Sequence, residues 1–357
     1  MAPIKVQGLV DRFSALGKLF EQRFKGAPKA PAISTSTAAI LSVAFTLVYI
    51  IPLYLSSATR PSPTLTRDAP SSIRARVRAV TISSLLSLAL TILILHGSGE
   101  VSPQGILHLL GVWPISILDI GKVLLLVMTL FAGPLFENGI VDGGLKHWIW
   151  FRGLHETLSS WIGYRNYVVV RKMHREIPMD EEIIWRGMII PLHILAHVSG
   201  KKIIFLTPLY FGIAHVHHLY EFRITHPDLP MIAAIARSVF QFAYTTLFGF
   251  FAAFTFVRTG SIYSLILAHS FCNWMGLPRF WGRVGVEAGV PIGPPDADKR
   301  SDDQNAYDND LSTHTSKGIV WTIAYYIVLV AGTYGFYRGL FPLTESSNAL
   351  PVILVEQ

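Results

Sequence analysis

The chain has 357 residues, 51% of them hydrophobic and only 15% charged, with a mean hydropathy of +0.44. Soluble globular domains carry near 25% charged residues, so this composition excludes an ordinary water-wetted enzyme. A single Cys excludes an internal disulfide framework, and a formal charge of +7 is what Lys and Arg facing anionic headgroups produce, so lipid rather than nucleic acid is the expected partner.

Residues 1–32 read as a basic, amphipathic arm carrying Lys5, Arg12, Lys18, Arg23, Lys25 and Lys29. No signal-peptide pattern precedes the first apolar run, so that run is expected to remain as an uncleaved anchor. A membrane span needs about 20 apolar residues, because ~30 Å of hydrocarbon is crossed at 1.5 Å per residue. Eight runs meet or approach that length: Ile33–Leu55, Ala79–His96, Ser116–Phe136, Glu181–Val198, Ile203–Leu219, Met231–Val257, Ser261–Leu277 and Ile319–Phe341. The expected fold is therefore an all-α, polytopic integral membrane protein with about eight transmembrane helices. Between these runs, Ser56–Arg78 is rich in Pro and Ser and holds five arginines, while Gly293–Asp310 is rich in Asp and reads as solvated loop.

The first, second and last runs have no charged residue near their centres and read as scaffold. The four runs from Glu181 to Leu277 differ, holding Glu181, Glu182, Arg186, His193, His197, His215, His217, His218, Arg237, Gln241, His269 and Asn273. Ionisable groups in hydrocarbon cost roughly 2.5–3.5 kcal/mol each, so they face a bundle interior or an aqueous cavity. Such a density points to an intramembrane polar cavity.

Glu181-Glu182-Ile183-Ile184-Trp185-Arg186 opens the first of these runs, behind Pro178 and an N-cap candidate, Asp180. Glu182 and Arg186 are four apart and can pair, whereas Glu181 lies about 100° round the helix. A carboxylate in a dry pocket can take a proton from water. The plainer reading is an acidic pair stabilising the helix dipole.

Phe211-Gly-Ile-Ala-His215 runs on into Val216-His217-His218. His215 lies deepest and suits the partner of a base, while His217 and His218 read as interfacial residues beside Tyr220. His269 and Asn273 are also four apart, so two N–H donors project from one face. They can stabilise an oxyanion, or simply hold helices together. Cys272 reads as a small apolar residue rather than a nucleophile. A zinc set of Glu181, His215, His217 and His269 is a rival reading, although no H-E-x-x-H occurs.

E-E-x-x-x-R, F-x-x-x-H and H-x-x-x-N, in that order over Glu181–Asn273, resemble the motif set of the type II CAAX prenyl endopeptidases, the Ras-converting enzymes of the endoplasmic reticulum. Leu206–Tyr220 and Ala268–Gly276 look like the eukaryotic branch of that family. The resemblance implies a multi-pass endoplasmic-reticulum protein that removes the aaX tripeptide from prenylated CAAX proteins such as Ras-type small GTPases, with no cofactor or metal. Carried over by motif position, Glu181 is the general base and His215 its partner in activating water. His269 and Asn273 bind the oxyanion, and Glu182 and Arg186 support them. A zinc-dependent membrane protease, a non-catalytic binder of prenylated proteins and a transporter with a buried proton relay are the alternatives.

On this reading 33–163 is scaffold, 164–283 the catalytic core, 284–317 a flexible acidic loop, and 318–357 the last helix with its tail. One departure stands beside the core. Arg171–Ile177, mostly charged or polar, occupies a place where the family passes from an apolar stretch straight into the proline, and reads as a dispensable inserted loop.

Overall fold

The computed structural model describes residues 30–62, 70–149, 179–285 and 318–352. Most of the basic arm, most of the acidic loop, Pro178 and the Arg171–Ile177 insertion lie outside them. Every regular element among the described residues is helical, as a membrane bundle requires when backbone groups have no water to bond.

Helix α1 (Thr35–Ile50) starts where Ser34 accepts a hydrogen bond from the Thr37 N–H at 3.0 Å, and short α2 (Pro52–Leu55) continues it. The long α3 (Pro70–Gly97) follows, then α4 (Pro103–Leu109). Large aliphatic side chains such as Ile40, Leu47, Ile82, Leu85 and Leu86 are exposed along α1 and α3. In water such belts would drive aggregation; here they face lipid.

Ser116–Phe136, expected as one span, is broken. Helix α5 (Ile117–Leu130) and helix α6 (Ala132–Phe136), which continues through a π-turn at Glu137–Val141, meet at an 80° bend. Pro134 explains the position, since its ring would clash with the carbonyl four residues back, Leu130, the last residue of α5. After α7 (Leu145–Ile149) the description resumes at α8 (Met179–Glu182), so Asp180 lies inside the helix rather than capping it. A π-turn (Ile183–Met188) leads into α9 (Ile189–Leu195). Then come α10 (Gly200–Ala214), a 3-10 turn (His215–His217), α11 (His218–Thr225), α12 (Met231–Thr259), α13 (Ile262–Met275) and α14 (Ile319–Gly339).

All eight apolar runs are helical, but not all of them form single helices of spanning length. Among the described residues five helices are long and apolar enough to cross a membrane, or six if the bent pair counts as one. The runs expected at Glu181–Val198 and Ser261–Leu277 yield the short apolar helix Ile183–Leu195 and the 14-residue α13, about 21 Å long at 1.5 Å per residue. These two short helices carry Arg186, His193, His269 and Asn273, and they pack among the longer helices. Ile184, Met188, Ile189, Ile190 and Leu192 have no exposed surface at all.

Helix α10 makes its most extensive packing with α12. A Cβ added at Gly249 would stand 2.8 Å from that of Pro208, and one at Gly212 would run into Thr246 and Phe242. The two glycines therefore let the backbones approach closely, the usual means of helix association in lipid. This close seam fixes where the end of α10, and with it His215, sits.

Candidate active site

Glu182 is completely buried, and its Oε1 accepts two hydrogen bonds: one from Arg186 Nη1 at 3.1 Å and one from His269 Nδ1 at 2.7 Å. The expected i, i+4 pair survives the π-turn that begins immediately after Glu182. Arg186, 2% exposed, lays its guanidinium 4.5 Å from the centre of the Phe211 ring and 5.7 Å from that of Phe248. Two buried opposite charges and two aromatic faces offset much of the desolvation that either ion alone would suffer. Removing one member of such a pair costs about 3–5 kcal/mol, so Glu182 and Arg186 are fixed to each other and to α13 through His269.

Glu181 is placed differently. Its side chain is 31% exposed, with Oε2 3.9 Å from His269 Nε2 and Oε1 3.5 Å from the Tyr49 hydroxyl. His269 thus stands between the paired carboxylates, donating from Nδ1 to the buried one and turning Nε2 toward the accessible one. Phe248 lies against the other side of its ring, centroids 4.6 Å apart.

His215 occupies the 3-10 turn that ends α10. Its Nδ1–H donates to the Phe211 carbonyl at 2.8 Å, which leaves the lone pair on Nε2, and its ring stacks edge-on against Phe211. The same Phe211 ring lies 6.3 Å from that of His269 and 4.5 Å from the Arg186 guanidinium, so His215 borders the Glu182 network through it. Asn273 lies one turn beyond His269 on α13 and is exposed. Glu181, Glu182, Arg186, His215 and His269 therefore form one cluster, and Asn273 lies one helical turn from its His269.

Other polar residues of the same stretch are elsewhere. His193, 1% exposed, is turned back onto its own helix, with Nδ1 2.9 Å from the Ile189 carbonyl, and Arg237 covers the Phe222 ring. His217 and His218 are half-buried, and His218 Nδ1 lies 2.7 Å from Glu221 Oε2. The donor group that gathers three ligand atoms within 4.8 Å, among the described residues, is His217, His218 and Glu221. That set differs from the Glu181, His215, His217 and His269 set of the zinc reading.

Tyr49 escaped the reading of the sequence. It sits in a plain apolar helix treated as scaffold, yet it reaches Glu181 and packs edge-on against Trp185 at 4.8 Å. Its hydroxyl is one of several in that span, beside those of Ser42, Thr46 and Tyr54, so residue type alone did not single it out. Phe248 gave no signal either, because an aromatic in α12 looks like ordinary packing.

A family model described as Type II CAAX prenyl endopeptidase Rce1-like matches residues 177–275, beginning at the last residue of the inserted stretch. The chain is 37% identical over 246 residues to the probable CAAX prenyl protease 2 of Schizosaccharomyces pombe, covering 69% of this chain and 83% of that relative. Against CAAX prenyl protease 2 of Homo sapiens it is 33% identical over 242 residues, 64% of this chain and 68% of the relative. Against that of Arabidopsis thaliana it is 32% identical over 270 residues, 69% and 81% respectively. No solved structure matches. With matches from fission yeast, human and plant converging on one name over most of each protein, the chain belongs to the type II CAAX prenyl endopeptidase family.

Proposed function

We propose that this multi-pass membrane protein is a CAAX prenyl endopeptidase that removes the aaX tripeptide from prenylated CAAX proteins through a water activated by Glu181 and His215. The observation that carries the mechanism is the position of His269 between two carboxylates of unequal exposure, 2.7 Å from Glu182 and 3.9 Å from Glu181. The buried carboxylate orients the histidine and balances Arg186. The accessible one is open to water and substrate.

In this reading a water lies between Glu181 and His215. Its oxygen attacks the carbonyl of the prenylated cysteine, Glu181 takes one proton, and His215 Nε2 accepts a hydrogen bond from the other O–H. The carbonyl oxygen gains negative charge as the C–O bond forms. His269, with protons on both nitrogens, donates from Nε2, and the Asn273 amide donates beside it; Glu182 and Glu181 favour that cationic ring. The C–N bond then breaks, Glu181 returns its proton to the departing amine, and the second water proton leaves through His215 Nε2 to solvent, so that a carboxylate remains on the cysteine. Burial among helices suits a substrate whose lipid arrives from the bilayer. Ras-type small GTPases are the expected substrates and the endoplasmic reticulum the expected membrane, with residues 164–283 as the catalytic core.

The reading is tested with two peptides of one sequence ending in C-a-a-X, one farnesylated and one with a free thiol. The purified protein should release the tripeptide from the farnesylated peptide alone. Equal turnover of both would remove lipid recognition from the account.

Tyr49 supplies a finer test. Its hydroxyl is 3.5 Å from Glu181 Oε1, so Tyr49→Phe removes an orienting contact and leaves the ring packed on Trp185. The acceptor is charged but the contact is long, so the ordinary value of about 0.5–1.5 kcal/mol for a hydrogen bond applies, and kcat/KM should fall about 2- to 10-fold with little change in thermal stability. An unchanged kcat/KM would leave Tyr49 a packing residue.

A further inference from the structure

From the cluster beside the candidate active site we infer an accessory site for a divalent transition metal of the zinc class, formed by His217, His218 and Glu221. One ligand atom from each lies within 4.8 Å of the others, and the two imidazole centroids are 4.1 Å apart. Two nitrogens and a carboxylate oxygen are the donor set that borderline ions such as Zn²⁺ take, with water completing the coordination.

The orientation of His217 is the independent observation. Its Nδ1–H donates to the Ala214 carbonyl at 2.5 Å, so Nε2 holds the lone pair. That Nε2 is buried and has no hydrogen-bond partner among the described residues. A ligating histidine is normally set in this way, one nitrogen tied to a backbone carbonyl and the other aimed at the ion. His193 shares this buried, unpartnered Nε2, but among the described residues only at His217 do two further donors, from His218 and Glu221, gather beside it.

The carboxylate is also prepared. Glu221, 4% exposed, is held through Oε1 by Arg76 of α3 at 2.5 Å and through Oε2 by His218 at 2.7 Å. Arg76 is anchored in turn by its Nε donating to the Thr59 carbonyl at 2.8 Å. An ion entering the cluster replaces the His218 contact on Oε2 while Arg76 keeps Oε1. Arg76 opposes a cation electrostatically, so the site holds an exchangeable ion rather than a permanently buried one. Edge-on contact from Tyr54, centroids 5.8 Å from His217, walls one side. His215 is close, its ring 5.8 Å from that of His218, but its Nε2 is not among the ligands.

The test uses the full chain in detergent without a polyhistidine tag, titrated with Zn²⁺ by calorimetry and with Co²⁺ by visible absorption. About one ion should bind per chain, with Co²⁺ absorption of a low-coordinate N/O site. His217→Ala and Glu221→Gln should each weaken binding at least about tenfold, the lower end of what losing even an outer-shell partner costs. Metal-free melting curves confirm that each variant is folded, and His218→Ala replaces either one that is not. Glu181→Gln should bind as the wild type does. Absence of saturable binding would overturn the inference, as would full affinity in the folded cluster variants. Loss of binding in Glu181→Gln would move the ion to the active site and overturn it equally.

Discussion

Glu181→Ala should lower kcat for a farnesylated C-a-a-X peptide about 10²- to 10⁴-fold, the range associated with losing a positioned base. The partial exposure of Glu181 makes this a clean substitution. At 31% exposure its side chain leaves no large void, and the buried Glu182–Arg186–His269 network stays intact without it. Insertion and melting temperature in detergent should be close to wild type. Glu182→Ala should behave in the opposite way. It leaves Arg186 buried and unpaired and frees His269 Nδ1, so about 3–5 kcal/mol of stability is lost together with activity. Wild-type turnover by a folded Glu181→Ala protein would sink the base assignment.

Asn273→Ala carries the second large effect. If the amide binds the developing oxyanion, its interaction exists mainly in the transition state, so kcat falls with little change in KM. Removing one such donor costs about 2.7–4 kcal/mol of barrier, a loss of about 10²- to 10³-fold. The rival role, an interhelical hydrogen bond, averages only about 0.6 kcal/mol in membrane proteins and would appear as lowered thermal stability. The exposure of Asn273 favours the first role, because a residue gluing helices would be covered by the partner helix. Measuring kcat, KM and melting temperature on one preparation separates the two. A destabilised protein with intact kcat would take Asn273 out of the site.

The membrane class and the main polar cluster were legible because both rest on residue type and short spacing. Glu182 and Arg186 pair across one helical turn, as their i, i+4 spacing predicts. The cost of polar groups in hydrocarbon marked the stretch, and the motif spacing picked Glu181, His215 and His269 out of it. Span number was not legible to the same degree. Hydropathy merges adjoining apolar residues whatever their geometry, so the 80° bend at Phe131 was read through and the short helices at Ile183–Leu195 and Ile262–Met275 were read as crossings. Pro134 marked the bend in principle, but the π-turn after Glu182 leaves no trace in periodicity. Contacts between distant segments were invisible, above all Tyr49 with Glu181 across 132 residues and Arg76 with Glu221 across 145.

The central claim is that cleavage of a prenylated substrate depends on a carboxylate-activated water and on no metal in the active site. Its most direct test is mass analysis of a farnesylated C-a-a-X peptide after incubation with the purified protein, with and without prolonged exposure to EDTA and phenanthroline. The account predicts a product shortened by the last three residues, formed at the same rate in both samples. Activity lost on chelation and restored by added zinc would contradict it.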